Sequence, residues 1–128
     1  MKSALILTAV LTACEAASAC TLGAHLATYH FDRSAHYNEF NPGAYVICDG
    51  YTAGTYYSSE RTQAYYAGYT LQSGPWALTL GAVAGYPRGT LPMAVPSVRV
   101  AEHVRVAFLP PIPGVGKNTG GLHIMAEF

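Results

Sequence analysis

Eight short runs of strand type follow one another along this chain, and none of the stretches between them reads as a helix that could cover a sheet. The runs occupy residues 22–31, 44–48, 51–58, 62–71, 76–86, 91–101, 104–109 and 121–128. Each is rich in Val, Ile, Thr, Tyr, Trp or Phe and is bounded by Gly, Pro, Asp, Asn or Ser, the residues that turn a chain. A sheet with nothing packed on it must close on itself, because its open edges would present unpaired N–H and C=O groups. The expected fold is therefore all-β, an eight-stranded antiparallel up-and-down β-barrel, and 128 residues suffice for one such domain.

Local signals agree with this. Asp49-Gly50 joins the second and third runs, and both central positions of a type I′ hairpin turn require the positive φ that these residues tolerate. In the last run Leu122, Ile124, Ala126 and Phe128 fall on one face, and His123, Met125 and Glu127 on the other. Val98, Val100, Val104, Val106 and Phe108 continue the apolar face, with Arg99 and Arg105 opposed. Two places resist. Pro92 and Pro96 would cost ladder hydrogen bonds, so the sixth strand is expected to be irregular or to begin late. The second run is short for a spanning strand unless residues 41–43 join it.

The connections sort into two classes. Those after the even-numbered runs are short, namely Asp49-Gly50, residues 72–75 and Glu102-His103. Those after the odd-numbered runs, residues 32–43, 59–61, 87–90 and 110–120, are longer on the whole. Short turns at one end and longer loops at the other are the pattern of outer-membrane barrels. Composition points the same way, since charged residues make up only 11% of the chain and apolar ones 51%. The formal net charge is zero and Lys117 is the single lysine beyond the leader. Without a clustered basic surface to neutralise phosphates, nucleic-acid binding is excluded. No apolar run approaches the length of a spanning helix, so membrane passage requires a closed barrel.

Met1-Lys2, the apolar residues 4–13 and the small-x-small site Ala17-Ser18-Ala19 form a secretory leader, with cleavage expected after Ala19 and the barrel domain running over residues 20–128. Two alternatives stand beside it: an N-terminal helix retained in the mature protein, and a lipobox at Leu11-Thr12-Ala13-Cys14 that would lipidate Cys14. Export favours a disulfide between the remaining cysteines, Cys20 and Cys48, over two free thiols. Cys20 opens the first strand and Cys48 closes the second, so an antiparallel hairpin brings them to the same end.

With its eight strands, its sorted loops and a terminal Phe128 after alternating apolar residues, the chain resembles the small outer-membrane barrels of Gram-negative bacteria. That group includes lipid A palmitoyltransferase and lipid A deacylase. These enzymes carry a histidine, a serine and a carboxylate at the outer end of the barrel. The resemblance implies that role for Ser34, His36 and Glu39, and His36 to Gly43 is similar to the deacylase pattern of His and Ser followed by Asn and Gly.

The residues themselves concentrate polar chemistry in the same place. Within 30–43 lie two histidines, two carboxylates, a serine, an arginine and two asparagines. A serine, an imidazole that exchanges protons near neutrality and a carboxylate are the parts of acyl transfer. Ser34, or Ser58 from the next long connection, would be the nucleophile, His36 the base and Glu39 its orienting group. His30, Asp32, Arg33, Asn38, Asn41, Ser58 and Arg61, with help from Ser59, would bind substrate, an arginine holding an anionic head group. The same stretch also reads as a polar loop bonded to its own backbone. A metal at His30, Asp32, His36 and Glu39 lacks the ligand spacing of a structural zinc site, so no metal or cofactor is expected. Arg99, Arg105, His123 and Glu127 read as an interior plug rather than a pore lining, and the ten tyrosines as interfacial girdles and interior filling.

The expectation is a small barrel of the outer membrane or periplasm of a Gram-negative bacterium, with a structural or interaction role played through its outer loops. A lipid-modifying enzyme, an acyltransferase or deacylase acting on lipid A or phospholipid, is the first alternative. A soluble periplasmic barrel that binds a small ligand is the second. Membrane lipid is the expected partner, and the protein partner is left open.

Overall fold

The structure, a computed structural model, describes residues 20–32, 36–87, 89–109 and 120–128. The expected leader with Cys14, and Arg33, Ser34 and Lys117, lie outside the described residues. Eight strands follow in chain order: β1 (Cys20–His30), β2 (Phe40–Cys48), β3 (Tyr51–Tyr57), β4 (Gln63–Ser73), β5 (Trp76–Tyr86), β6 (Gly89–Ala101), β7 (Val104–Leu109) and β8 (Gly121–Glu127). Each pairs antiparallel with its chain neighbours, and β1 pairs with β8 to close the barrel.

Turn chemistry sets the two ends. Asp49 and Gly50 both take positive φ, 51° and 87°, as the tight β2–β3 hairpin requires. With residues 74–75 and Glu102-His103 it makes the short-turn end, where Phe128 N–H also bonds Leu22 C=O at 2.9 Å. Cys20 and Cys48 are direct cross-strand partners there and form a disulfide, their Cα atoms 4.1 Å apart. The opposite end carries residues 31–32, 36–39, 58–62, 87 and 120.

Strand β2 takes in Asn41, Pro42 and Gly43 and reaches 9 residues. The sixth strand does not begin late: β6 runs unbroken through Pro92 and Pro96. Among the described residues, β6 pairs with β7 only from Ser97 to Ala101, and with β5 alone before that. Pro96 therefore sits where, among the described residues, one edge of the strand has no pairing partner, which is where proline is tolerated in a sheet.

The alternation of each strand puts large apolar groups on the outer wall and turns the buried polar groups inward, beside a smaller apolar set that includes Ile47, Val83, Ala107 and Met125. His25, Thr28, His30, Asn41, Thr52, Thr70, Ser97, Arg105, His123 and Glu127 are buried in the interior. Leu26, Leu80, Val104, Phe108, Leu122 and Ile124 are exposed on the outer wall. Three charged residues lie in described strands, Arg99, Arg105 and Glu127, and all are on the inward-facing register. Two inward glycines make the interior fit, since Gly23 lies under the Tyr45 ring and Gly54 under the Tyr66 ring, where a Cβ would collide with the aromatic carbons.

At the short-turn end the interior is tied together by charge. Glu127 Oε2 receives Arg105 Nε at 3.0 Å and the Tyr45 hydroxyl at 2.8 Å, while Arg99, half-exposed at the mouth, stands 3.6 Å from Oε1. Arg105 also donates to Ser97 Oγ at 3.1 Å, and Thr52, Thr70 and Thr79 form a hydroxyl ladder across β3, β4 and β5. At this end the interior is filled by side chains, and these polar groups bond to one another.

Candidate functional site

At the long-loop end two connections are tied to each other. Asn38 N–H donates to Ser59 C=O at 3.0 Å, and Arg61 Nη2 donates to His36 C=O at 3.2 Å. His36 and Arg61 both hold positive φ, 53° and 62°. Non-glycine residues in that region persist only where surrounding contacts over-determine them, and such places cluster at functional sites.

Ser58 and Ser59 have different work. Ser58 is fully buried, and its Oγ accepts Glu60 N–H at 3.3 Å and Thr62 N–H at 3.2 Å, closing the β3–β4 turn. Ser59, one residue further, turns its Oγ to His30 Nε2 at 2.9 Å. In the tautomer that leaves Nε2 unprotonated, the serine hydroxyl donates to the imidazole, the arrangement of a nucleophile and its base. His30 sits at the end of β1 and Ser59 just beyond β3. They are not neighbouring strands, so the two side chains meet across β2.

Beneath them lies Asn41, 1% exposed. Its amide donates to Tyr57 C=O at 2.9 Å and Asn38 C=O at 3.4 Å, and its Oδ1 accepts the Thr28 hydroxyl at 2.6 Å. That bond uses the Thr28 proton, so Thr28 Oγ1 must accept from His123 Nδ1 at 2.7 Å. His123 Nε2 then accepts from His25 Nδ1 at 2.8 Å, and His25 Nε2 accepts the Tyr66 hydroxyl at 2.9 Å. For neutral rings, one asparagine orientation thus fixes the tautomers of two buried histidines.

Two cavities meet at His30. One, of about 270 Å³, is a vestibule lined by His30, Asp32, His36, Tyr37, Glu39 and Arg61. The other, of about 240 Å³, runs down the barrel past Tyr56, Tyr66, Val83, Met93 and Val95. His30 and Tyr37 line both, their rings 4.8 Å apart, and Ser59 lines the inner one. The vestibule is polar and the barrel interior beside it largely apolar, so an amphiphile could place its head in the first and its chain in the second.

Of the residues marked out by the sequence, His30, Asp32, His36, Glu39 and Arg61 are gathered in the vestibule. Asn38, Asn41 and Ser58 hold backbone groups in place. Arg33 and Ser34 lie outside the described residues. Ser59, named from sequence only as a helper, is the serine that meets a histidine, and the partner is His30 rather than His36. Among the described residues, no group of three or more His, Cys, Asp or Glu side chains is placed to hold a metal ion. Comparison with protein-family models gives no match, and comparison with curated protein sequences gives none either.

Proposed function

We propose that this barrel spans the outer membrane of a Gram-negative bacterium and acts on acyl esters of membrane lipids at its long-loop mouth. The apolar outer wall of the fold supports the membrane part. No charged side chain of the described strands faces outward, and exposed aromatic residues form two bands around an aliphatic middle. Tyr29, Phe31, Phe40, Tyr57, Tyr65 and Phe108 lie toward the long-loop end, and Tyr51, Tyr69, Trp76 and Phe128 toward the other. Outer-membrane barrels carry such girdles at the two interfaces. Strands of 11 residues such as β4 and β5, at about 3.3 Å per residue and tilted about 40°, stand about 28 Å tall, enough for the hydrocarbon layer. The disulfide fits an oxidising compartment outside the cytoplasm.

The contact of His30 Nε2 with Ser59 Oγ carries the catalytic part. His30 takes the hydroxyl proton as Ser59 Oγ attacks the ester carbonyl carbon. The carbon–oxygen bond to the leaving alcohol then breaks, and His30 returns the proton to that alcohol. The acyl group passes from Ser59 to water or to a second hydroxyl, which separates a deacylase from an acyltransferase. Asp32, His36, Glu39 and Arg61 receive the head group, and Ser34 and Arg33 belong to the same connection.

The test compares wild type with Ser59→Ala and His30→Ala, scoring the acyl composition of host envelopes and of phospholipid vesicles incubated with purified protein. Altered lipids with wild type alone, at equal thermal stability of all three, support the reading. Unchanged lipids throughout would leave a structural barrel that presents its loops to a partner.

A further inference from the structure

We infer that Asn41 is the positioning residue of this site, a staple that sets the distance between His30 and Ser59. The inference rests on reading those two residues as base and nucleophile. Thr28, which donates to Asn41 Oδ1, lies two positions before His30 on the same inward face of β1. Tyr57, whose carbonyl accepts from Asn41 Nδ2, lies two positions before Ser59. One buried side chain on β2 therefore grips both flanking strands at the same offset from the residues they deliver.

The need for such a grip follows from the sheet. Neighbouring strands lie about 4.8 Å apart, so β1 and β3 are about 10 Å apart and share no ladder. A small splay of either strand end would separate Oγ from Nε2 without breaking any strand pairing. Asn41 opposes that splay, and the chain through Thr28, His123 and His25 to Tyr66 holds Asn41 itself in one orientation. Its burial excludes water that could replace these bonds. Asn38 secures the same turn from above, through its N–H to Ser59 C=O and its amide to Ser58 C=O at 3.4 Å.

The experiment uses the full mature protein in phospholipid bicelles with a fluorophosphonate probe, which reports serine nucleophilicity independently of any lipid substrate. Displacement of about 1 Å at a reacting pair can cost on the order of 10²-fold in rate. Thr28→Val, nearly isosteric, and Asn41→Ala are expected to slow Ser59 labelling by tenfold or more. Thr55→Val, the same chemical change on the outward face of β3, is expected to label like wild type. In parallel, the ¹⁵N signal of the His30 imidazole, assigned with His30→Gln, is expected to move in Thr28→Val and Asn41→Ala in the same direction as in Ser59→Ala. Wild-type labelling rates together with an unmoved His30 signal would overturn the staple. A wild-type protein that never labels at Ser59 would defeat the catalytic reading instead, and the imidazole signal alone would then decide for or against the staple.

Discussion

Arg105 and Glu127 meet inside the barrel at 3.0 Å, with side chains only 6% and 5% exposed. A buried ion pair is not in itself strong evidence of stability, because desolvation offsets much of the attraction, but breaking one leaves an uncompensated charge. Glu127→Ala would strand the Arg105 guanidinium and also the Tyr45 hydroxyl, at a cost of about 3–5 kcal/mol. Urea unfolding in detergent micelles should show that loss. Glu127→Gln, which keeps an acceptor for Tyr45, should fall between, and Glu102→Ala on the exposed turn should leave the midpoint unchanged. A wild-type midpoint for Glu127→Ala would mean that water reaches this end of the barrel.

The disulfide acts on the unfolded chain. Cys20 and Cys48 are separated by 28 positions, and closing a loop of that length removes chain entropy worth about 3.5 kcal/mol. Because the pair already sits in register in the β1–β2 ladder, the native state should be the same with or without it. The double variant Cys20→Ser/Cys48→Ser is expected to fold to the same spectrum with a lower unfolding midpoint, and reducing agent should lower wild type to the same value. A midpoint insensitive to reductant, with both thiols found free by mass mapping, would remove the bridge.

How much of this was legible follows from what alternation can carry. Within a strand, parity assigns a face, so Arg105 and Glu127 could be placed together inside from the sequence and Leu122, Ile124 and Phe128 outside. Parity says nothing at a strand end. Asn41, Pro42 and Gly43 have turn chemistry, yet they extend β2, because pairing with β1 and β3 outweighs their local preference. Pro92 and Pro96 misled for a related reason, since their cost depends on whether a neighbour needs the missing N–H. The choice between Ser58 and Ser59 was out of reach, as both lie where the alternating face breaks into a turn. The pairing of Ser59 with His30 further depends on the register of two strands that do not touch.

The membrane setting can be read from the one tryptophan. Trp76 is 62% exposed on the outer wall at the short-turn end, within the second aromatic band. In phosphatidylcholine vesicles its emission is expected to be blue-shifted relative to unfolded protein. Lipids brominated near the head group should quench it more than lipids brominated near the chain terminus, because tryptophan in such a band sits at the interface. Absence of quenching by either lipid, in protein that retains its β-sheet circular dichroism, would place the barrel outside the bilayer.

The two adjacent serines give the sharpest contrast. Ser58 Oγ satisfies the N–H groups of Glu60 and Thr62, so Ser58→Ala leaves those donors without their side-chain acceptor, at a cost of about 1–3 kcal/mol. Ser59 Oγ makes its bond to His30 at the junction of the two cavities, so Ser59→Ala removes the proposed nucleophile and little packing. Stability and reactivity should therefore separate between neighbours. Ser58→Ala is expected to melt earlier than wild type and still react at Ser59 with a fluorophosphonate. Ser59→Ala is expected to melt like wild type and take up no label. Should Ser58→Ala lose the label while Ser59→Ala keeps it, the nucleophile would be Ser58 and the His30 contact a structural bond. Label retained in both would move the nucleophile to another serine, with Ser34 on the neighbouring connection the first to replace.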